Sequence, residues 1–321
     1  MRAVQVNEFG GPEVLSVVER PVPEPRPGEV LVRMAAVDVL FIDTRLRQGW
    51  GREYFEMNPP YTPGDGVAGE VVALGEDVDP AWLGTTVVAD TGNSGTCAEL
   101  VPVPVAELAV IPGGLDEQAA VVLLHDAVTA LGIADHARMR PGENVLVTAA
   151  AGGAAGIVIQ LAIAAGARVL GAARGEEKLA HARSLGAEPV DYGAPDWVER
   201  VRDLTGGVDV LVDGAGGAYG RDAFGAVARG ARVITYGASD GDFADIDLDE
   251  ARRRDVTVTG LFDLGLNTRE RRRELLGRAL AEAAAGRISP AIGAAFPLEK
   301  VADAHTAIER REIVGRAVLH P

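Results

Sequence analysis

The chain has 321 residues, 47% of them apolar and 40 of them glycine, enough to bury a sizeable core and to divide into two domains. Its 31 basic and 47 acidic residues leave a formal charge of −16, which argues against a phosphate-neutralising surface, so no nucleic-acid partner is expected. The single cysteine, Cys97, excludes an internal disulfide framework and a multi-cysteine metal site.

The opening MRAVQVNEFGGPEVL carries charges and no apolar run of signal-peptide length, and no segment reaches about 18 uninterrupted apolar residues. A cytoplasmic chain with no membrane partner is expected. Over residues 1 to 110, EVLVRMAAV, GVAGEVVAL, TTVVAD and CAELVPVPV are short alternating or β-branched runs parted by Pro and Gly, which predicts β-rich, barrel-like material. The character changes near residue 120. His125 and Asp126 are read as preceding the next domain's first helix, with a capping role preferred over orienting a proton donor. From about Val122 to Gly260, the apolar runs NVLVTAA, ARVLGAA, DVLVDGA, ARVITYGA and VTVTGLF are spaced by helical stretches. That alternation predicts a parallel, doubly wound sheet with right-handed crossovers. The arginine triplets starting at 252 and 271 read as solvated helix faces. After Gly265, NTRERRRELLGRALAEAAAGRI places Leu276, Leu280 and Ala283 on one face behind an Asn267 cap with Glu270 three residues on, an amphipathic helix. The closing GRAVLHP is strand-like and too short to be a domain, so it is expected to complete the first domain's sheet.

Two adjacent glycines, Gly152 and Gly153, stand where a predicted strand hands over to a predicted helix. Glycines in such a turn let the backbone approach a pyrophosphate, and the helix N-terminus offers free N–H groups with a partial positive charge. The phosphates are expected above Gly152, Gly153, Ala154 and Ala155. Neither Ala150, Gly152, Ala155 nor Ala151, Gly153, Gly156 completes a GxGxxG, and a close-packed junction with no ligand is the competing reading. The position at the head of several strand and helix units favours the dinucleotide. The second strand ends in Ala173 and Arg174 where an NAD site usually carries a carboxylate, and Lys178 follows one helical turn later. Two cations suit the 2′-phosphate of NADPH; ordinary pairing with Glu176 and Glu177 is the alternative.

Over essentially its whole length the chain resembles the zinc-independent quinone oxidoreductases, the zeta-crystallin-like group of the medium-chain dehydrogenase/reductase superfamily. The residues that carry this are MRAVQVNEFGGPEVL, RPGEVLVRMAAVDVLFIDTRLRQG, PYTPGDGVAGEVVALGEDV, LLHDAVTALG, the stretch from Arg140 to Tyr192, and EIVGRAVLHP. The resemblance implies an α/β fold made of a GroES-like, β-rich catalytic domain (1–122 and 265–321) and a Rossmann domain (123–264), with NADPH in the cleft. Besides the glycine turn, Arg174 and Lys178, it carries cofactor contacts to Thr129, Tyr192, Ala215, Gly216, Gly237 and Ala238, to Phe262 and Leu264 beside the nicotinamide, and to Arg316. It also suggests a homodimer, and the strand-like DVTVTGLF offers an edge for pairing across a two-fold axis.

Three departures stand out. Ala155 replaces the third glycine of the turn, Leu40 stands where many relatives carry Asn, and Arg45 replaces an aromatic residue. The Cys and His ligands of the zinc-dependent branch are missing, so no metal is expected. Without a metal Lewis acid, hydride transfer to an already electron-poor carbon, in a quinone or enone, is the accessible chemistry. The candidate substrate wall is Leu40, Phe41, Trp50, Tyr54, Phe55, Tyr61 and Phe262, each of which has core packing as its alternative. No residue stands out as a general acid. An enoyl reductase acting on an acyl or polyketide chain, and a non-catalytic NADPH-binding protein, remain open.

Overall fold

The β-branched runs separated by Pro and Gly form strands, as their alternation requires. A computed structural model describes residues 1–51, 57–92 and 95–321. In chain order it begins with β1 (Arg2–Val6), β2 (Leu15–Glu19), β3 (Glu29–Val39), α1 (Phe41–Arg47), β4 (Gly66–Leu74), β5 (Thr86–Asp90), β6 (Leu100–Pro104), β7 (Leu108–Val110) and α2 (Glu117–Ala137). Strand and helix then alternate through β8 (Asn144–Thr148), α3 (Gly153–Ala164), β9 (Arg168–Ala173), α4 (Glu176–Ser184), β10 (Glu188–Asp191), α5 (Trp197–Thr205), β11 (Val208–Asp213), α6 (Gly217–Phe224), β12 (Val227–Thr235), α7 (Leu248–Arg253) and β13 (Thr257–Gly260). The chain closes with α8 (Arg269–Ala284), β14 (Ile292–Pro297), α9 (Val301–Glu309) and β15 (Arg316–His320).

These elements form two units, Met1–His125 with Leu276–Gly286 and Ala291–Pro321, and Asp126–Leu275 with Arg287–Pro290. The first holds a sheet in the order β14-β15-β3-β4-β5-β7, with β6 also paired to β3. Val30, Val32, Met34, Val67, Val71 and Leu319 share its core; burying each such side chain stabilises the fold by about 1.5–3 kcal/mol. The closing GRAVLHP does return to this sheet: β15 runs antiparallel to β3, with Leu319 opposite Val37.

The second unit is a six-stranded sheet in the order β10-β9-β8-β11-β12-β13, every pairing parallel. Its central strands are buried along their length, as at Val145–Val147 and Val210–Val212, because helices cover both faces of such a sheet. Strand order reverses between β8 and β11, so the ligand crevice of this topology lies beyond their carboxyl ends.

Three local expectations are corrected. His125 and Asp126 lie in the middle of the 21-residue α2, not ahead of it, so neither caps that helix. The cap of α8 is Thr268, whose Oγ1 accepts the Arg271 N–H at 3.3 Å, one residue beyond Asn267. Arg252 and Arg253 are solvated, but Arg254 is half-buried, with its guanidinium 5.2 Å from the centre of the Phe224 ring. The α8 face behaves as its spacing requires, with Leu276, Leu280 and Ala283 all buried. Helix α2 is long and apolar enough to cross a membrane, yet 67% of its apolar window is buried within the fold, as in a core helix.

Candidate functional site

In the second unit, the loops that leave β8, β9, β10, β11 and β12 all emerge at one edge of the parallel sheet. After β8 the chain turns through Ala149 (φ 49°), whose carbonyl accepts the Gly152 N–H at 2.9 Å, and α3 starts at Gly153. A Cβ at Gly152 would meet only the Ala149 oxygen, at 3.3 Å, so this backbone is open to a ligand. A Cβ at Gly153 would lie 1.8 Å from Asp126 Oδ2. Gly153 is therefore required by close packing: the buried Asp126 carboxylate sits against the start of α3, where a negative charge is favourable. Ala155 is fully buried behind the turn, so the methyl that replaces a hydrogen there is accommodated in the interior.

The ends of β8 and β11 are locked by a buried cluster that sequence reading missed. The Thr148 hydroxyl donates to Asp213 Oδ1 at 2.5 Å and accepts from the N–H groups of Gly214 (3.0 Å) and Ala215 (3.1 Å). Asp213 also accepts from the Ala215 and Gly216 N–H groups at 3.2 Å. Burial pushes the Asp213 carboxyl up against these hydrogen bonds, which favour its charge. The cluster fixes the Ala215–Gly216 loop at the crevice. Gly237 and Ala238 follow β12, where the Tyr236 and Gly237 N–H groups donate to the Asp213 carbonyl at 3.0 and 3.2 Å.

At the β9 end, Arg174 lies between the two elements that carry aromatic rings. Its Nη1 is 3.5 Å from Tyr219 Oη, and its side chain passes beside Gly193. Tyr192 stacks on Tyr219 at 4.3 Å between ring centres, and Trp197 meets Tyr192 edge-on at 6.2 Å. Tyr219 is a further residue that sequence reading missed, because nothing in its spacing links it to Tyr192. Among the described residues Arg174 makes no ion pair, whereas Glu176 is taken by Arg183 at 3.6 Å. The pairing of Arg174 with Glu176 or Glu177 is therefore not made. Lys178 lies in the first turn of α4. An open glycine turn at a helix N-terminus and an arginine without an acidic partner fit a phosphorylated dinucleotide.

The other predicted contacts separate by exposure. Thr129 is half-buried on α2, and Phe262 is 82% exposed with Phe243 edge-on at 6.3 Å. Leu264 is fully buried. In the first unit, Leu40 is the N-cap of α1 and its N–H donates to Asp43 Oδ2 at 2.7 Å. Phe41 and Trp50 are exposed. Tyr61 packs on the core of that unit, and burial pushes its phenol up to about 12. Tyr54 and Phe55 lie outside the described residues. Arg316 opens β15, with its Nε 4.0 Å from Asp38 Oδ2. Among the described residues no cluster of three or more His, Cys, Asp or Glu is arranged to hold a metal ion.

Comparison with known proteins agrees with this architecture. The family model described as the alcohol dehydrogenase GroES-like domain matches residues 26–129, and that described as zinc-binding dehydrogenase matches residues 153–280. A quinone oxidoreductase of Pseudomonas aeruginosa is 32% identical over 100% of this chain and 99% of its own length. Among solved structures, an Escherichia coli quinone oxidoreductase complexed with NADPH matches with a TM-score of 0.88 and 26% identity, covering 100% of both chains. An NAD-dependent alcohol dehydrogenase matches with a TM-score of 0.89 and 33% identity, again over 100% of both. The chain belongs to the medium-chain dehydrogenase/reductase superfamily, within its quinone oxidoreductase group. Members bind a nicotinamide cofactor, and the crevice beyond β8 and β11 is where this topology holds one.

Proposed function

We propose that the protein is an NADPH-dependent, zinc-independent oxidoreductase that transfers hydride to a quinone or another conjugated carbonyl compound. In this reading Asp126–Leu275 binds the cofactor, with Phe262 on the nicotinamide side, and Leu40, Phe41 and Trp50 are the substrate-facing residues of the first unit. The observation that carries it is Arg174: a cation at the end of β9, without an acidic partner among the described residues, beside the Tyr192–Tyr219 stack, with Lys178 in the first turn of the following helix. An acid at that position would repel a 2′-phosphate; Arg174 attracts it. The likeness to quinone oxidoreductases, one of them complexed with NADPH, supports the same cofactor and substrate class. The lack of a Cys and His ligand set supports a reaction in which the substrate brings its own electron-poor carbon. The assembly in this reading is a homodimer: β13 is an edge strand of the six-stranded sheet and is open to pairing with a second copy.

The test is a binding and turnover comparison. NADPH is expected to bind at least tenfold tighter than NADH, a difference of about 1.4 kcal/mol, and turnover is expected with quinones or enones but not with ethanol. Equal affinities overturn the cofactor assignment. Turnover confined to acyl thioesters shows an enoyl reductase instead, and no turnover despite tight NADPH binding shows a binding protein.

A further inference from the structure

A buried acid and a histidine meet in the first unit with no role in the reading above. Asp38, on β3, is fully buried, and its Oδ2 lies 2.9 Å from His125 Nδ1 on α2. Its Oδ1 is buried without a hydrogen-bond partner among the described residues. The first residue of β4, Gly66, closes over the pair: a Cβ there would lie 3.0 Å from Asp38 Oδ1 and 3.0 Å from His125 Cε1. A side chain there would press on both members of the pair and on Leu124 Cδ2, which would lie 2.7 Å away. Three elements thus hold one imidazole in one orientation. An ionised carboxylate can only accept, so Nδ1 carries the proton it donates to Asp38, and Nε2 remains for another partner. The His125 side chain keeps 20% of its surface exposed while Asp38 keeps none. Asp38 precedes Leu40 by two residues, and the exposed Phe41 follows, so the strand that carries the dyad's acid leads directly into the proposed substrate-facing residues. A buried ion pair is a costly way to gain stability, and a buried carboxylate oxygen without a partner calls for a reason.

We propose that His125 is the proton donor of the reduction and Asp38 its positioning residue, with Nε2–H delivered to the carbonyl oxygen of the quinone or enone as hydride reaches the conjugated carbon. The assignment rests on the reductase reading given above. The balance is complete. The substrate gains a hydride, two electrons and one proton, from the reduced cofactor at its β-carbon; the C=C π pair becomes the new double bond to the carbonyl carbon, the carbonyl π pair moves onto oxygen, and a quinone adduct then enolises to the hydroquinone. The O–H bond forms as Nε2–H breaks, and the neutral imidazole regains a proton from water at its exposed edge. The net reaction consumes NADPH, one proton and the quinone and yields NADP⁺ and the hydroquinone. The charge environment suits a donor. Burial opposes a charge on His125, but Asp38, by charge and hydrogen bond, and then Asp65 and Asp90 outweigh it and raise the imidazole to about 9. Asp43, itself raised to about 7 chiefly by burial, adds to the acidic surroundings on the α1 side, and Arg316 is the cation facing Asp38 from β15. An imidazolium of that strength is close to the range of a phenol, about 10, so transfer to a hydroquinone oxyanion is nearly balanced.

The experiment has two readouts. In the cofactor-free protein, NMR titration of the His125 Cε1–H is expected to give a midpoint near 9 and to fall toward about 6.5 in Asp38→Asn, the value of an ordinary histidine. In turnover, kcat of the wild type is expected to decline as pH rises through about 9, the value held by the Asp38 pair. Asp38→Asn is expected to move that decline toward neutrality. His125→Gln is expected to abolish it and lower kcat by about 10²-fold or more, with NADPH affinity unchanged. Should His125→Gln fail to fold, the shift in Asp38→Asn decides. An active wild type whose His125→Gln variant keeps kcat and pH profile overturns the assignment, as does a wild-type His125 that titrates as an ordinary histidine. A wild type that reduces no quinone or enone overturns the reductase reading itself, a different result from either of these.

Discussion

Replacing Arg174 by Ala separates the two nicotinamide cofactors. Its guanidinium is held beside Tyr219 and Gly193 with no acidic partner among the described residues, so truncation breaks no ion pair and leaves no carboxylate unpaired. Besides the long 3.5 Å contact to Tyr219 Oη, the loss is what the guanidinium contributes to a ligand. A hydrogen bond to a charged group contributes about 1.5–3 kcal/mol, and at about 1.4 kcal/mol per decade this corresponds to a roughly ten- to hundredfold weaker NADPH affinity. NADH lacks the 2′-phosphate and is expected to bind Arg174→Ala and the wild type alike. Titration of nicotinamide fluorescence with each cofactor, repeated at higher salt to screen the charge term, measures both constants. Equal loss for NADH and NADPH, or loss for neither, refutes the placement of the 2′-phosphate at Arg174.

Three other outcomes follow from the packing. Gly153→Ala places a methyl on the Asp126 carboxylate and is expected to destabilise the protein by about 1–3 kcal/mol, read as a lower urea midpoint, with weaker cofactor binding because the turn itself must shift. His305 is buried with Nδ1 unpartnered among the described residues, and burial and then Arg47 lower its pKa from 6.5 to about 3. Its stabilising contribution is present above pH 6.5 and lost as pH falls toward about 3, so His305→Leu is expected to flatten the acid limb of Tm against pH across that window. Leu40→Asn puts a good N-cap side chain on an extended residue (φ −89°, ψ 151°) already joined to Asp43; a gain of about 1 kcal/mol is expected in denaturant titration, together with altered kcat or KM for small quinones at unchanged NADPH affinity.

Much of the fold was legible because period and punctuation carry it. The run from NVLVTAA to VTVTGLF alternates strand and helix as β8 to β13 do, and the glycine pair marks the turn into α3. Polar pairs distant in sequence were not legible. Asp38 and His125 are 87 residues apart and Thr148 and Asp213 65 apart, and hydrophobic period reports which face is buried, not which buried polar groups meet. His and Asp inside an apolar run read as a helix start; in the structure the helix continues, because Asp38 and the start of α3 lie beside them. Thr268 displaced Asn267 as the cap by one residue, the usual uncertainty where two cap-forming residues adjoin.

The proposed reaction is hydride transfer from NADPH to a conjugated carbonyl. Anaerobic single turnover tests it most directly, with protein-bound NADPH mixed with one equivalent of quinone, the loss of NADPH absorbance recorded by stopped flow and the product separated. One hydroquinone formed for each NADPH consumed, with no reaction of NADP⁺ with ethanol, is the predicted result. Persistence of NADPH with every quinone and enone, alongside oxidation of simple alcohols by NADP⁺, would contradict it.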